Sequence, residues 1–135
     1  MGKINWVRVV LCGLVAGIVW SLLSMANMTF FGGDFQAAVP GSQLVKPKAT
    51  FLALSSNVGM GIWAMWLYAS FRPRYGPGPK TAVLVGVAWW SIGMMVNATW
   101  VVLGLVPYMT LLPLLVAALP AAVLAAVVGA WPYQE

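Results

Sequence analysis

The sequence predicts an all-α protein, an integral membrane four-helix antiparallel bundle with both termini cytoplasmic, and three observations lead there. Of 135 residues, 62% are hydrophobic and only 7% charged, whereas soluble domains carry about 25% charged residues. Every charged residue falls outside four apolar runs, each close to the roughly 20 residues that cross a bilayer core as a helix. Glycine and proline clusters separate those runs. Seven basic and two acidic side chains are too few to cover a soluble domain of this size, so residues 1–135 are expected to form a single membrane domain.

The first span, about 9–31, contains no charge. Lys3 and Arg8 ahead of it and the small residues Ser24 and Ala26 within it imitate a signal peptide, but the run is long for one and is expected to stay as a helix. Residues 32–50 read as an outer loop, broken by Gly32, Gly33, Pro40, Gly41 and Pro47, with Asp34 as the N-cap of a short turn through Ala38. The second span, about 51–71, is expected to stop where Arg72, Pro73 and Arg74 oppose continuation. Gly76, Pro77, Gly78 and Pro79 then make a stiff turn into the third span, about 81–105. Pro107 suits the first turn of the fourth helix, about 107–131. Within that helix Pro113 and Pro120 each remove a backbone hydrogen bond, which predicts kinking of its outer half.

Lys3, Arg8, Arg72, Arg74 and Lys80 lie at one end of the spans, and Lys46 and Lys48 at the other. Cytoplasmic loops retain Lys and Arg, so the termini and the 72–80 turn are expected inside. The basic residues form no clustered face, which excludes nucleic acid as a partner. There is no histidine, the only acids are Asp34 and Glu135, and the single cysteine, Cys12, lies within the first span. Disulfides, metal centres and acid–base pairs therefore lack their residues. No enzyme activity, metal or cofactor is expected.

The stretch 68–82 (YASFRPRYGPGPKTA) and the ending 129–135 (GAWPYQE) resemble a group of uncharacterised short bacterial four-helix membrane proteins. Asn5 and Trp6 ahead of a Gly-rich helix ending in Phe30, Phe31 and Gly32 are similar to a four-span domain family of unknown function. The resemblance implies a multi-pass protein of the bacterial inner (plasma) membrane. It supplies no catalytic or binding residue.

Three constellations could carry function. Asn27 with Ser24, Asn57 with Ser55, and Asn97 with Thr99 are expected at one level near the outer side. There they either line a small polar site or serve as hydrogen-bonding glue between helices. Trp20, Trp63, Trp89 and Trp90 lie roughly 12 to 17 Å from the inner boundary at 1.5 Å per residue, where they either enclose a flat apolar ligand or fill space between helices. Trp6, Trp131 and Tyr133 are placed in an inner interfacial belt, and Trp100 and Tyr108 in the outer one.

Small residues at helical spacing form the third set. They are Gly13 and Gly17, Ser55 and Gly59, Ala82 and Gly86, and two ridges on the fourth helix, one of them Ala118, Ala122, Ala126 and Ala130. Such ridges let backbones approach closely in lipid. One ridge of the fourth helix is expected to pack within the bundle and the other against a partner. These features point first to a non-catalytic accessory or structural subunit, partnered by the lipid bilayer and by other membrane protein subunits or its own copies. The alternative is a small channel, transporter or apolar-ligand (quinone, carotenoid, lipid) binder.

Overall fold

The computed structural model describes residues 4–38 and 47–133. Lys3, Lys46, Glu135 and the middle of the expected outer loop lie outside the described residues. In chain order the helices are α1 (Trp6–Phe31), α2 (Gly33–Ala38), α3 (Pro47–Tyr75), α4 (Pro79–Val102) and α5 (Tyr108–Ala130). Among the described residues there is no strand. Four helical segments, Trp6–Phe31, Thr50–Tyr75, Pro79–Val102 and Tyr108–Ala130, are long and apolar enough to cross a membrane.

The helix ends depart from the expected bounds for identifiable reasons. α1 starts before position 9 because Asn5 caps it, its side-chain oxygen accepting the Arg8 N–H at 3.2 Å. Asp34 is not a cap but sits in the first turn of α2, where a carboxylate still favours the positive end of the helix dipole. α3 runs through Arg72, Pro73 and Arg74 instead of stopping at Phe71. A proline in the last turn forfeits one bond only, and the Gly76 N–H closes that turn on the Arg72 carbonyl at 2.9 Å. Gly76 ends the helix with φ 81°, and Gly78 follows with φ 128°, conformations that glycine adopts without steric cost. α4 then begins on Pro79 as its first helical residue. Pro107 is the N-cap of α5, not its first residue.

α1 packs along α3 and α5, and α5 packs also along α4. α3 and α4 make a smaller contact, and the backbones of α1 and α4 lie diagonally apart. Glycine decides how closely these pairs approach. A Cβ on Gly17 would stand 2.7 Å from the Val58 Cα, and one on Gly61 would overlap the backbone of Gly13 and Gly17. Across the other interfaces, a Cβ on Gly86 would lie 2.6 Å from the Val123 Cα, and one on Gly129 2.6 Å from the Ala16 Cβ. Gly59 is a correction: nothing lies within 4 Å of its Cβ position. The contact with α1 passes through Gly61, which stands about 200° further round the helix at 3.6 residues per turn.

A second correction concerns α5. Ala121, Ala122, Ala125, Ala126, Gly129 and Ala130 are all buried, and Ala117 and Ala118 are half-buried. Both small ridges are occupied within the chain, because Gly129 meets α1 while Ala122 and Val123 meet Gly86 of α4. The main buried cluster keeps to the half of the bundle nearest the 76–79 turn, since burial on α3 starts at Gly61 and on α4 ends at Trp89, while Val106 and Leu111 are buried apart from it toward the other end.

Candidate functional site

Trp20 of α1 and Trp89 of α4 meet across the bundle axis, with ring centroids 4.9 Å apart and planes tilted by 42°. Their helices do not touch through backbone, so the two indoles bridge the diagonal. Trp89 is 2% exposed and belongs to one cluster with Met65, Val85, Ala125 and Ala126. Trp90, its neighbour in sequence, is half-buried and donates its Nε1–H to the Leu115 carbonyl at 2.8 Å. Trp63 is half-buried on α3, outside that cluster. Two of the four tryptophans therefore pair, one bonds a neighbouring helix, and one stands apart. Neither cavity described below is lined by any of them.

The polar residues placed at one level go to separate partners. Asn27 donates its Nδ2–H to the Leu114 carbonyl of α5 at 3.2 Å. Asn97 donates to Gly93 of its own helix at 2.7 Å, and Ser55 to Leu52 of its own helix at 2.9 Å. Asn57 and Ser24 are half-buried and Thr99 is exposed, and no hydrogen bond joins any two of the six. The physical reason is the geometry of the bundle. Asn57 and Asn97 sit on the stretches of α3 and α4 that contribute nothing to the buried core.

A different arrangement replaces that level. Pro113 and Pro120 both lie inside α5, and the carbonyls of Leu114 and Leu115 between them receive side-chain donors from two other helices, Asn27 of α1 and Trp90 of α4. The carbonyls that lose their N–H donors are those of Met109 and Val116, four residues ahead of each proline, so these two bonds tie the stretch between the prolines to α1 and α4 and do not replace the missing backbone bonds. Sequence reasoning had both halves of this pairing, the two prolines and the donors, without connecting them. The amide oxygen of Asn27 is buried without a partner. Beside it, an apolar groove of about 400 Å³ runs between α1 and α5, bounded by Leu23, Phe30, Phe31, Pro120 and Leu124.

The larger cavity, about 690 Å³, lies at the basic end, where the end of α3, the 76–79 turn, the start of α4 and the end of α5 converge. Tyr68 anchors it: its hydroxyl accepts the Gly78 N–H at 3.2 Å. Thr81 donates from Oγ1 to the Gly76 carbonyl at 2.6 Å, which holds the turn against α4. Tyr133 packs edge-on against Tyr68 at 5.7 Å and 82°, and the Arg72 guanidinium lies over its ring at 5.1 Å, a favourable cation–π geometry. Tyr133 is buried, because the chain folds back after α5 with the Tyr133 N–H on the Ala130 carbonyl at 3.1 Å. Trp131, by contrast, is exposed.

Among the described residues there is no group of three or more histidine, cysteine, aspartate or glutamate side chains that could hold a metal ion. The chemistry on view is hydrogen bonding to backbone carbonyls, aromatic packing, and one cavity carrying a cation. No family model, curated protein or solved structure matches this chain.

Proposed function

We propose that this chain is a multi-pass protein of the bacterial inner membrane, with both termini and the 72–80 turn in the cytoplasm. In that setting it serves as a non-catalytic accessory or structural subunit, associating in the bilayer with other membrane proteins or with its own copies. The observation that carries the choice is the filled axis. Trp20 and Trp89 close the diagonal between the two helices whose backbones do not meet, so a pathway along the bundle would have to displace a buried aromatic pair. The polar side chains within the spans support it further, since those of Asn27, Trp90, Ser91 and Asn97 donate to backbone carbonyls, the pattern expected of packing rather than of transport.

A second reading, binding of an apolar ligand such as a quinone, carotenoid or lipid, draws support from the groove beside Asn27. The two readings differ in measurable ways. Extracted in mild detergent, the chain is expected to travel as a stoichiometric complex by native mass spectrometry, either with a larger membrane protein or with itself. A lone 14.4 kDa chain carrying a small apolar molecule would contradict this and favour the second reading. In the complex, Asn27→Leu is expected to cost about 0.6 to 1.7 kcal/mol of bundle stability, the range for hydrogen bonds between membrane helices. Asn97→Leu, which removes a bond internal to α4, is expected to leave complex membership unchanged.

A further inference from the structure

α3 and α4 are joined by the short 76–79 turn, which Tyr68 and Thr81 hold to both helices. Antiparallel helices that start side by side could pack along their whole length, yet these two make only a small contact, so they diverge beyond the turn. Residues 50–56 of α3 are all exposed, and on α4 burial ends at Trp89. The faces that are buried near the turn nonetheless continue into the divergent stretches. Two helical turns take about seven residues. That spacing puts Leu54 and Asn57 in line with the buried Gly61 and Ala64 on α3, and Ile92 and Val96 in line with the buried Val85 and Trp89 on α4. Leu54 is 48% exposed, Ile92 43% and Val96 59%. Asn57 makes no hydrogen bond among the described residues, and its amide is not enclosed. It stands 18 residues before the end of α3 at Tyr75, and Asn97 stands 18 after the start of α4 at Pro79, so the two share a level on neighbouring helices. Gly59 and Gly93, 16 and 14 residues from the same helix ends, mark where each helix leaves the core. Neither serves packing, since nothing lies within 4 Å of either Cβ position. Glycine inside a helix weakens it, so each helix carries a soft point at nearly the same level.

We infer that the stretches of α3 before Gly59 and of α4 after Gly93 form a hinged jaw, open in this structure, that closes by bending at these two glycines. Closure brings Leu54 and Asn57 against Val96 and Asn97, and the Asn57 amide donates to the Asn97 side-chain oxygen. In the open form Asn97 is bonded through its nitrogen, to Gly93 of its own helix, which leaves that oxygen to accept. An unpaired amide is costly in an apolar surrounding, so the new bond favours closing. Both helices run unbroken through their glycines when open, and a few such residues suffice to absorb a hinge motion. The half nearest the turn is the fixed base, because a Cβ on Gly61 or Gly86 would meet the backbone of a neighbouring helix. The motion is independent of the accessory role proposed above.

The test is pulsed electron paramagnetic resonance on the full chain in lipid nanodiscs, with spin labels attached through Leu52→Cys and Val102→Cys in a Cys12→Ala background. Both positions are exposed, and each lies 23 residues from its helix end at the turn. The labels are expected to report two separations, the longer one matching the open form. Ser70→Cys with Leu84→Cys, both exposed and in the packed half, is expected to report one. Gly59→Ala together with Gly93→Ala is expected to cut the shorter-distance population at least threefold, because alanine favours the unbent helix. Asn57→Leu is expected to cut it several-fold. A single separation between the Leu52 and Val102 labels in the otherwise unsubstituted chain would overturn the jaw. A shorter population that the two alanines leave unchanged would overturn the glycine hinges, and one that N57L leaves unchanged would overturn the bond to Asn97. Should N57L fail to fold, as judged by helical circular dichroism, the alanine pair decides alone, since its Cβ positions are open.

Discussion

Gly61→Ala is expected to lower the unfolding free energy by about 1 to 3 kcal/mol, the usual cost of forcing an added methyl into a packed interface. The new Cβ would overlap the backbone of Gly13 and Gly17 on α1. Backbone has no rotamer with which to yield, so α1 and α3 must separate along their closest stretch. Gly59→Ala and Gly93→Ala are expected to do the opposite. Their Cβ positions have nothing within 4 Å, and alanine is favoured over glycine in a helix interior by about 0.5 to 1 kcal/mol. Denaturant titrations in one detergent, followed by helical circular dichroism, measure all three. If the same substitution two residues apart on α3 gave the same sign, the close packing of α1 on α3 through Gly61 would be wrong.

Trp89→Ala should have the largest effect of any single truncation, about 3 to 5 kcal/mol. The side chain is 2% exposed and central to the core cluster, and the helices around it cannot collapse inward without breaking the glycine contacts. Part of that loss belongs to the pair. Trp20→Ala and Trp89→Ala combined are expected to cost less than their sum by about 0.5 to 1.5 kcal/mol, the worth of an aromatic contact beyond its buried area. Trp63→Ala, outside the cluster, is expected to cost the least of the three. Additivity of the Trp20 and Trp89 changes would mean that the rings do not meet across the axis.

Helix number and order were legible from the sequence because apolar run length is a direct signal of a spanning helix. Ends were less legible. Asn5 as a cap and Pro79 as a first residue follow known rules, but Arg72, Pro73 and Arg74 read as a stop although a proline costs little in a last turn. The packing was legible in type and not in detail. Gly13, Gly17 and Gly86 carry contacts as their spacing implies, whereas Gly59 and Gly61 cannot be told apart until the rotation of α3 about its axis is known. Depth alone put Asn27, Asn57 and Asn97 on one level. It could not show that the far stretches of α3 and α4 stay outside the core, which separates the partners. Tyr133 was hidden for a similar reason: its place against Tyr68 and Arg72 depends on a fold-back after α5 that leaves no periodic trace.

The placement of the basic end on the cytoplasmic side underlies the proposed function, and single-cysteine labelling tests it most directly. In a Cys12→Ala background, Ser42→Cys lies in the connection between the first two spans and Pro77→Cys in the basic turn. With a membrane-impermeant maleimide on intact cells, Ser42→Cys is expected to be labelled at once and Pro77→Cys only after the membrane is opened. Labelling of Pro77→Cys from outside intact cells would contradict the orientation and move the cavity to the other leaflet.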